Sequence, residues 1–285
     1  MVTIKKAERL HYNIISQWYQ LASVKFEMIK FMKYRESSFL VPSYMTSLYK
    51  HFNVRMLKIH SVQHLDIIRR ALKIDTARKK MNLYYSLARY DGGIPNQSLA
   101  LSKRDNEKWK NTHHNHINAY DFLLDIDSGN FIDLKWAYLS AKEIKKHFDL
   151  YDTPYELRFS GKGFHFIIPY SYFKHLNHNF IPHDDNSIYK FYSKFADTLH
   201  REFSEMTDKS IYDSRRLCKV PYSLAIYEDQ YLICTPFKDD VEFDDFDIED
   251  FKAENYKFVI RDRGTHIFNE YGSVDKVLKV WGLIK

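Results

Sequence analysis

Apolar and polar positions recur along the chain at two different periods, which predict helices and strands. Apolar side chains at helical spacing predict helices over 4–33, 62–74, 134–148 and 188–206, and a short one near 274–280. Apolar runs bounded by turn residues predict strands at 83–90, 120–127, 155–160, 163–169, 230–237 and 256–260. Because helices and strands are interspersed, the pattern predicts an α/β or α+β fold.

Composition narrows the class of protein. The chain has 285 residues, 45% of them hydrophobic and 16% aromatic, which indicates a globular protein of one elaborated domain or two lobes. Cys218 and Cys234 are its only cysteines, so neither a disulfide framework nor a Cys-rich zinc site is expected. No stretch approaches the roughly 20 apolar residues of a membrane span, and the N-terminus does not resemble a signal peptide. We therefore expect a soluble, intracellular protein.

Charge adds one indication about partners. The formal net charge is +6, which favours a polyanionic partner without requiring one. The acidic run 239–250 is most simply interpreted as a solvated connector. His113, His114 and His116 lie in a polar loop, where a solvated or phosphate-facing role is preferred over zinc because no cysteine or carboxylate stands at ligand spacing.

The candidate chemistry begins at the strand 120–127, which ends in Asp125 and Asp127. Residues i and i+2 of a strand point to the same side, so the two carboxylates repel each other unless a cation lies between them. Hard oxygen ligands suit Mg²⁺ or Mn²⁺. Two solvated aspartates at a strand end are the simpler alternative for this pair alone.

Two further segments carry polar groups in suggestive order. The predicted hairpin turn contains Ser160, Lys162 and His165 with two glycines between them, a composition that suits an anion. The plain alternative is a glycine-bearing hairpin with a surface lysine. Downstream, Asp208 is followed by Arg216 and Lys219, which are spaced to reach one negatively charged ligand or form an ordinary basic patch.

In order and content, these segments resemble the catalytic small subunit of archaeal and eukaryotic DNA primases, within the primase-polymerase superfamily. The family's hydrophobic-Asp-hydrophobic-Asp strand is matched by 124–127, its Ser-Gly-basic-Gly-x-His turn by 160–165, and its third acid with a basic Leu-x-Lys-x-Pro-x-Ser-Leu segment by Asp208 and 217–224. The likeness runs from about residue 30 to 237. It departs from the family in lacking the cysteines of a zinc element, in a short connection before Asp208, and in Ala225 where a histidine is frequent.

The resemblance implies a fold, a site and an activity. The fold would be α+β with two packed β-sheet units, an RRM-like catalytic unit bearing the acids, and the active site in the cleft between the units. One catalytic domain would span 1–285, with an N-terminal lobe at 1–110, a metal- and nucleotide-binding core at 111–240 and an extension at 241–285. Asp125, Asp127 and Asp208 would be catalytic and hold two divalent ions, Mg²⁺ or Mn²⁺. Ser160, Lys162, His165, Arg216 and Lys219 would bind the nucleotide, and Arg158 is either a template contact or part of a salt bridge.

The expected activity is primer synthesis from NTPs or dNTPs on a single-stranded DNA template, with no zinc and no membrane association. A large regulatory primase subunit is a further expected partner. A repair or gap-filling polymerase of the same superfamily fits the residues equally well. A non-catalytic nucleic-acid-binding subunit and an unrelated Asp-x-Asp glycosyltransferase are the alternatives from other classes.

Overall fold

The computed structural model describes residues 14, 17–40, 57–58, 82–90, 116–127, 134–203, 207–208, 212–213, 216–227, 230–255 and 265–285. Contacts within the chain group it into two compact units. The first unit draws on residues 1–85 and 219–265, and the second on 86–218 and 266–285.

Helices are interspersed among runs of strands along the described chain. The strands are β1 (Glu36–Leu40), β2 (Leu57–Lys58), β3 (Asn82–Ser86), β4 (Ala88–Arg89), β5 (Ala119–Tyr120), β6 (Phe122–Asp127), β7 (Glu156–Phe159), β8 (Gly163–Ile168), β9 (Leu217–Lys219), β10 (Leu224–Tyr227), β11 (Gln230–Ile233) and β12 (Thr235–Pro236). The helices are α1 (Ala22–Met32), α2 (Leu134–Leu150), α3 (Ile188–Phe203), α4 (Asp240–Asp244) and α5 (Asp275–Val280). Short 3₁₀ turns cover Tyr170–Tyr172, Lys174–Leu176 and Ile248–Phe251.

The first unit is built on antiparallel strands beside a helix. Strand β1 pairs with β2 and with β3, and β10 pairs with β11 as a hairpin. Two side chains from the segment before α1 form hydrogen bonds to the backbone at and before β10. The Trp18 indole donates to the Tyr222 carbonyl at 2.8 Å, and the Tyr19 hydroxyl accepts from the Leu224 amide at 2.9 Å.

The second unit is organised around β8, which pairs antiparallel with β6 on one side and β7 on the other. Helices α2 and α3 cover one face of these strands through aromatic contacts. The Phe122 and Phe195 ring centroids lie 4.7 Å apart, and those of Phe166 and Phe148 5.6 Å apart. These ring contacts define which face of the sheet packs against the helices.

The opposite face of the same strands carries a row of polar residues. Asp125 alternates with the buried Leu124 and Ile126, so its side chain points away from the helices. The register places Asp125 opposite His165, and His165 opposite Arg158. Directly opposed residues share a face, so one polar row crosses three strands.

The predicted α+β class is confirmed, since helices are combined with antiparallel strands in the described residues. The hairpin 155–169, the strand ending at Asp127 and the helix 134–148 are confirmed, with α2 extended to Leu150. The helix 188–206 is confirmed as far as Phe203, and 204–206 lie outside the described residues. The strand 83–90 is broken at Leu87 into β3 and β4, and the strand 230–237 is broken at Cys234 into β11 and β12. The predicted helix 62–74 and strand 256–260 lie outside the described residues.

The acidic run 239–250 is more than the solvated connector that the sequence favoured. It forms α4 and most of a 3₁₀ turn, with Asp239 accepting the Glu242 amide at 2.8 Å as a helix cap. Phe243 and Phe251 are buried against Phe237. The acids alternate with aromatic residues, and burial of the rings overrides the charge of the segment. Within the described part of the chain, no helix is both long and apolar enough to cross a bilayer.

Candidate active site

Backbone contacts place Asp208, the third predicted acid, beside β6, the strand that carries Asp125. The Asp208 amide donates to the Asp125 carbonyl at 2.9 Å, and Thr207 forms an isolated antiparallel bridge with Ile126. Thr207 is fixed in turn by His200 near the end of α3, whose Nδ1 lies 2.8 Å from its hydroxyl. Asp208 is thereby held beside the end of β6.

Two buried tyrosines anchor the segment that carries Arg216. The Tyr212 hydroxyl donates to the Leu123 carbonyl at 2.7 Å, and the Tyr120 hydroxyl donates to the Asp213 carbonyl at 2.5 Å. Burial raises the pKa of both phenols well above the usual value, so both remain protonated donors. The Leu87 amide also donates to the Arg216 carbonyl at 3.1 Å.

The Arg216 guanidinium lies between two of the predicted acids. Its Nη2 is 3.3 Å from Asp208 Oδ2 and 3.7 Å from Asp125 Oδ2. All three side chains are partly exposed, at 28% for Arg216, 36% for Asp208 and 21% for Asp125. The Arg216 guanidinium therefore offsets the negative charge of both carboxylates, and solvent can reach all three side chains.

His165 also contacts Asp125. Its Nε2 lies 3.3 Å from Asp125 Oδ1, and its Nδ1 lies 3.5 Å from the Cys218 sulfur. Burial acts to lower the pKa of His165, but the neighbouring Cys218 and Asp125 outweigh it and raise the pKa to about 9. Burial acts to raise the pKa of Cys218, and the imidazolium and Arg158 reverse this to a lowered value. Both directions favour an imidazolium held between a carboxylate and a thiolate.

Arg158 is part of a buried ion pair. It is 2% exposed, its Nε donates to Glu156, and its Nη1 lies 4.0 Å from the Cys218 sulfur. Of the two interpretations left open by the sequence, this supports the salt bridge, because a side chain enclosed in this way is not presented to a template backbone.

The hairpin turn is closed by its own serine. The Ser160 amide donates to the Gly163 carbonyl at 2.9 Å, and the Ser160 hydroxyl accepts from the Gly163 amide at 3.2 Å. Gly161 has φ 95°, a left-handed conformation that favours glycine. Gly163 meets β6 so closely that a Cβ would overlap the Ile126 carbonyl oxygen. Lys162, at the tip of the turn, is half-buried.

The carboxylate oxygens of the three predicted acids suit a hard divalent ion in their chemistry. Asp125 and Asp208 already direct one oxygen each at a single cationic nitrogen. No group of three or more His, Cys, Asp or Glu side chains among the described residues is arranged as a metal site. The structure thus places Asp125 and Asp208 around the Arg216 guanidinium, whereas metal-ligand roles for Asp125, Asp208 and Asp127, the last of which is exposed at the end of β6, stay predictions.

The structure brings together Asp125, Asp208, His165 and Arg216 by direct contacts, with the Ser160 turn beginning the strand that carries His165. Lys219 is buried at the end of β9 and belongs to the first unit, so its predicted place beside Arg216 stays a prediction. Sequence reasoning did not include Cys218 in the site, because its contact with His165 joins residues that are far apart in the sequence.

No family model matches the chain, and no curated protein matches it significantly. Among solved structures, the polymerase domain of ligase D from Mycobacterium tuberculosis, in complex with DNA, matches with a TM-score of 0.42 and 12% sequence identity. The match covers 81% of this chain and 82% of that chain. A likeness this weak decides neither fold nor function, so both are argued from the chain's own residues.

Proposed function

We propose that the protein is a DNA-templated nucleotidyltransferase that synthesises primers. The observation that carries the proposal is the pair Asp125 and Asp208, which lie on hydrogen-bonded backbone positions and share one cationic partner. Phosphoryl transfer needs positioning and charge neutralisation more than covalent chemistry from the protein. An acid on a strand and a second acid hydrogen-bonded to it through the backbone, with basic groups beside them, meet both needs.

Each residue of the site has a role in this reaction. Asp125 and Asp208, joined by Asp127, would hold Mg²⁺ or Mn²⁺, and two such ions supply activation of the attacking 3′-hydroxyl and stabilisation of the leaving pyrophosphate. Arg216 binds phosphate oxygens through its guanidinium fork. His165 is an imidazolium that orients Asp125 and keeps one oxygen of that carboxylate satisfied.

The hairpin turn is the proposed phosphate-facing edge of the site. The hydrogen bonds between Ser160 and Gly163 hold its shape, and Lys162 supplies a positive charge at its tip. Nucleoside triphosphates and a single-stranded DNA template are the proposed substrates, and the net charge of +6 fits both polyanions. A regulatory subunit is a proposed partner, with no particular segment assigned to bind it.

One observation favours a second candidate, a nucleic-acid-binding subunit without catalysis. Arg216 neutralises Asp125 and Asp208, which a protein that never binds a metal ion would also require. The two candidates differ in whether the acids are needed for any activity, which makes them separable by experiment.

The test is a primer-synthesis assay on single-stranded templates with labelled NTPs or dNTPs and Mg²⁺ or Mn²⁺. Wild type is compared with Asp125→Asn and Asp208→Asn, which keep the shape of the side chain and remove its charge. Short products made only by wild type would support a primase, and the nucleotide used would define its type. Products on primed templates alone would favour the gap-filling polymerase. DNA binding without incorporation on either template would favour the non-catalytic subunit.

A further inference from the structure

The most unusual feature of the site is that an arginine of the chain occupies the position between two acids proposed to bind metal. Two nearby carboxylates repel each other, and this repulsion must be offset by a positive charge. In this structure Arg216 provides that charge, with Nη2 within 3.3 Å of Asp208 and 3.7 Å of Asp125. A divalent ion bound to the same oxygens would need the space that the guanidinium fills.

Asp125 and Asp208 engage only part of the Arg216 guanidinium. Both contacts are made by one nitrogen, whereas an optimal Arg–carboxylate pair uses two nitrogens in a bidentate fork. The Arg216 Nε is buried and has no hydrogen-bond partner among the described residues. The backbone of Arg216 is fixed by Leu87 and Asp213, so displacement would involve the side chain alone.

We propose that Arg216 is a resident counter-cation that competes directly with the divalent ion for Asp125 and Asp208. Binding of the ion expels the guanidinium from between the carboxylates and releases it beside them, where it is available to the phosphates of the incoming nucleotide. This inference rests on the proposed function and deepens it, because it states how ion binding and nucleotide binding are coupled at the same site.

The coupling has a definite direction. Before an ion arrives, Nη2 of Arg216 is engaged by both acids, so the positive charge of the guanidinium is largely offset and attracts an anion less strongly. Once the ion has taken the carboxylates, the released guanidinium adds to the attraction for a triphosphate. Linkage is reciprocal, so a triphosphate that draws Arg216 away must strengthen ion binding by the same factor. Each ligand thereby favours the other.

The competition is measurable without nucleotide and without activity. Mn²⁺ is titrated into the full chain, and the free ion is followed by electron paramagnetic resonance. Arg216→Gln and Arg216→Met remove the competing charge, and thermal unfolding establishes that each variant is folded. Arg201→Gln is the matched control, since it removes one positive charge from an exposed arginine that contacts Asp197 and Thr198 on α3.

We expect either Arg216 variant to bind Mn²⁺ about fivefold or more tightly than wild type, from the loss of two partly exposed ion pairs. Arg201→Gln is expected to bind like wild type. Equal or weaker binding by the folded Arg216 variants would overturn the competition, and so would equal tightening by Arg201→Gln, which would reflect net charge alone.

A further variant separates this inference from the proposed function. Asp208→Asn should weaken Mn²⁺ binding strongly if the acids hold the ion at all. If Asp208→Asn has its effect but the Arg216 variants do not, the competition fails while the metal-dependent function survives. If Mn²⁺ binds none of the proteins, the proposed function and the inference fail together.

Discussion

The backbone amide of Asp208 donates a hydrogen bond to the carbonyl oxygen of Asp125 at 2.9 Å. Two acids that are far apart in sequence are therefore fixed next to each other by the main chain, independently of their side-chain conformations. Placement by backbone is what a metal-assisted site requires, because ligands on rigid elements stay in position while the ion and substrate exchange.

His165 is predicted to titrate far from the usual range of a histidine. Burial acts to lower its pKa, but the neighbouring Cys218 and Asp125 outweigh burial and raise the pKa to about 9 from the ordinary value of 6.5. Imidazole chemical shifts followed by nuclear magnetic resonance, without added metal, should show this pKa in wild type. Cys218→Ala should return the pKa of His165 toward 6.5, and an unchanged value would remove Cys218 from the charge balance of the site.

The pKa shifts of His165 and Cys218 have opposite effects on how stability depends on pH. The raised pKa of His165 gives stability that is fully present below pH 6.5 and is lost as the pH rises through about 9. The lowered pKa of Cys218 gives stability that is present above the ordinary thiol value of 9.0 and is lost as the pH falls through the lowered value. When the folded pair is imidazolium and thiolate, the folded protein holds one proton more on His165 and one proton fewer on Cys218 than the unfolded chain does. The two contributions therefore cancel at pH values above both 6.5 and the lowered thiol pKa and below about 9.

This cancellation can be measured by chemical denaturation of wild type and of the double variant His165→Gln/Cys218→Ala at several pH values. The difference between their free energies of unfolding should change by less than about 1 kcal/mol across the pH range in which His165 and Cys218 are both charged in the folded protein. A charged His165 beside a neutral thiol would instead make the difference fall by about 1.4 kcal/mol for each pH unit. That slope would contradict the ion pair.

Gly163 is predicted to be irreplaceable for steric reasons. A Cβ there would overlap the Ile126 carbonyl and come within 3.2 Å of the Asp127 Cα, so Gly163→Ala must push β8 from β6 at the acids. We expect a loss of about 1–3 kcal/mol of unfolding free energy, together with reduced nucleotide incorporation. Gly282→Ala is the control, because a Cβ there meets nothing within 4 Å and only the φ of 65° opposes it. A larger loss for the control would reject the steric explanation.

The buried pair Glu156 and Arg158 is predicted to be needed as a pair rather than for net stabilisation. Glu156→Leu leaves the enclosed Arg158 without its carboxylate, which should cost about 3–5 kcal/mol. Replacing both, as Glu156→Leu/Arg158→Met, should recover most of that loss, since an apolar pair of similar volume does not need the charges. Denaturant titrations of the single and double variants measure this, and a double variant as unstable as the single one would contradict it.

Much of the second unit could be predicted from sequence because its signals are local. The apolar run before Asp125, the glycines between β7 and β8 and the helical spacing in α2 and α3 each depend on neighbouring residues. The acidic run 239–250 was misjudged since charge was weighted over the aromatic residues between the acids. Burial of Phe243 and Phe251 depends on Phe237, in a part of the chain that pattern analysis treats as a separate strand.

The candidate site was predictable as a set of residues but not as a set of contacts. Asp125, Asp208 and Arg216 were all selected, yet the position of Arg216 between the acids depends on anchoring of its segment by Tyr120 and Tyr212. The contact of Cys218 with His165 likewise joins distant strands. Periodicity reports which face a residue occupies and not which side chain lies opposite, so these pairings needed the structure.

The central claim is that Asp125 and Asp208 form the acid pair of a nucleotidyltransferase. The most direct measurement is Mn²⁺-dependent incorporation of a labelled dNTP or NTP onto a primed DNA template by wild type, Asp125→Asn and Asp208→Asn. Asp185→Asn, at an exposed carboxylate paired with Lys190, is the matched control. We predict incorporation by wild type and Asp185→Asn, and a fall to about one-hundredth or less in the two site variants, whose melting temperatures stay close to wild type. Incorporation at wild-type rates by either folded site variant would contradict the account.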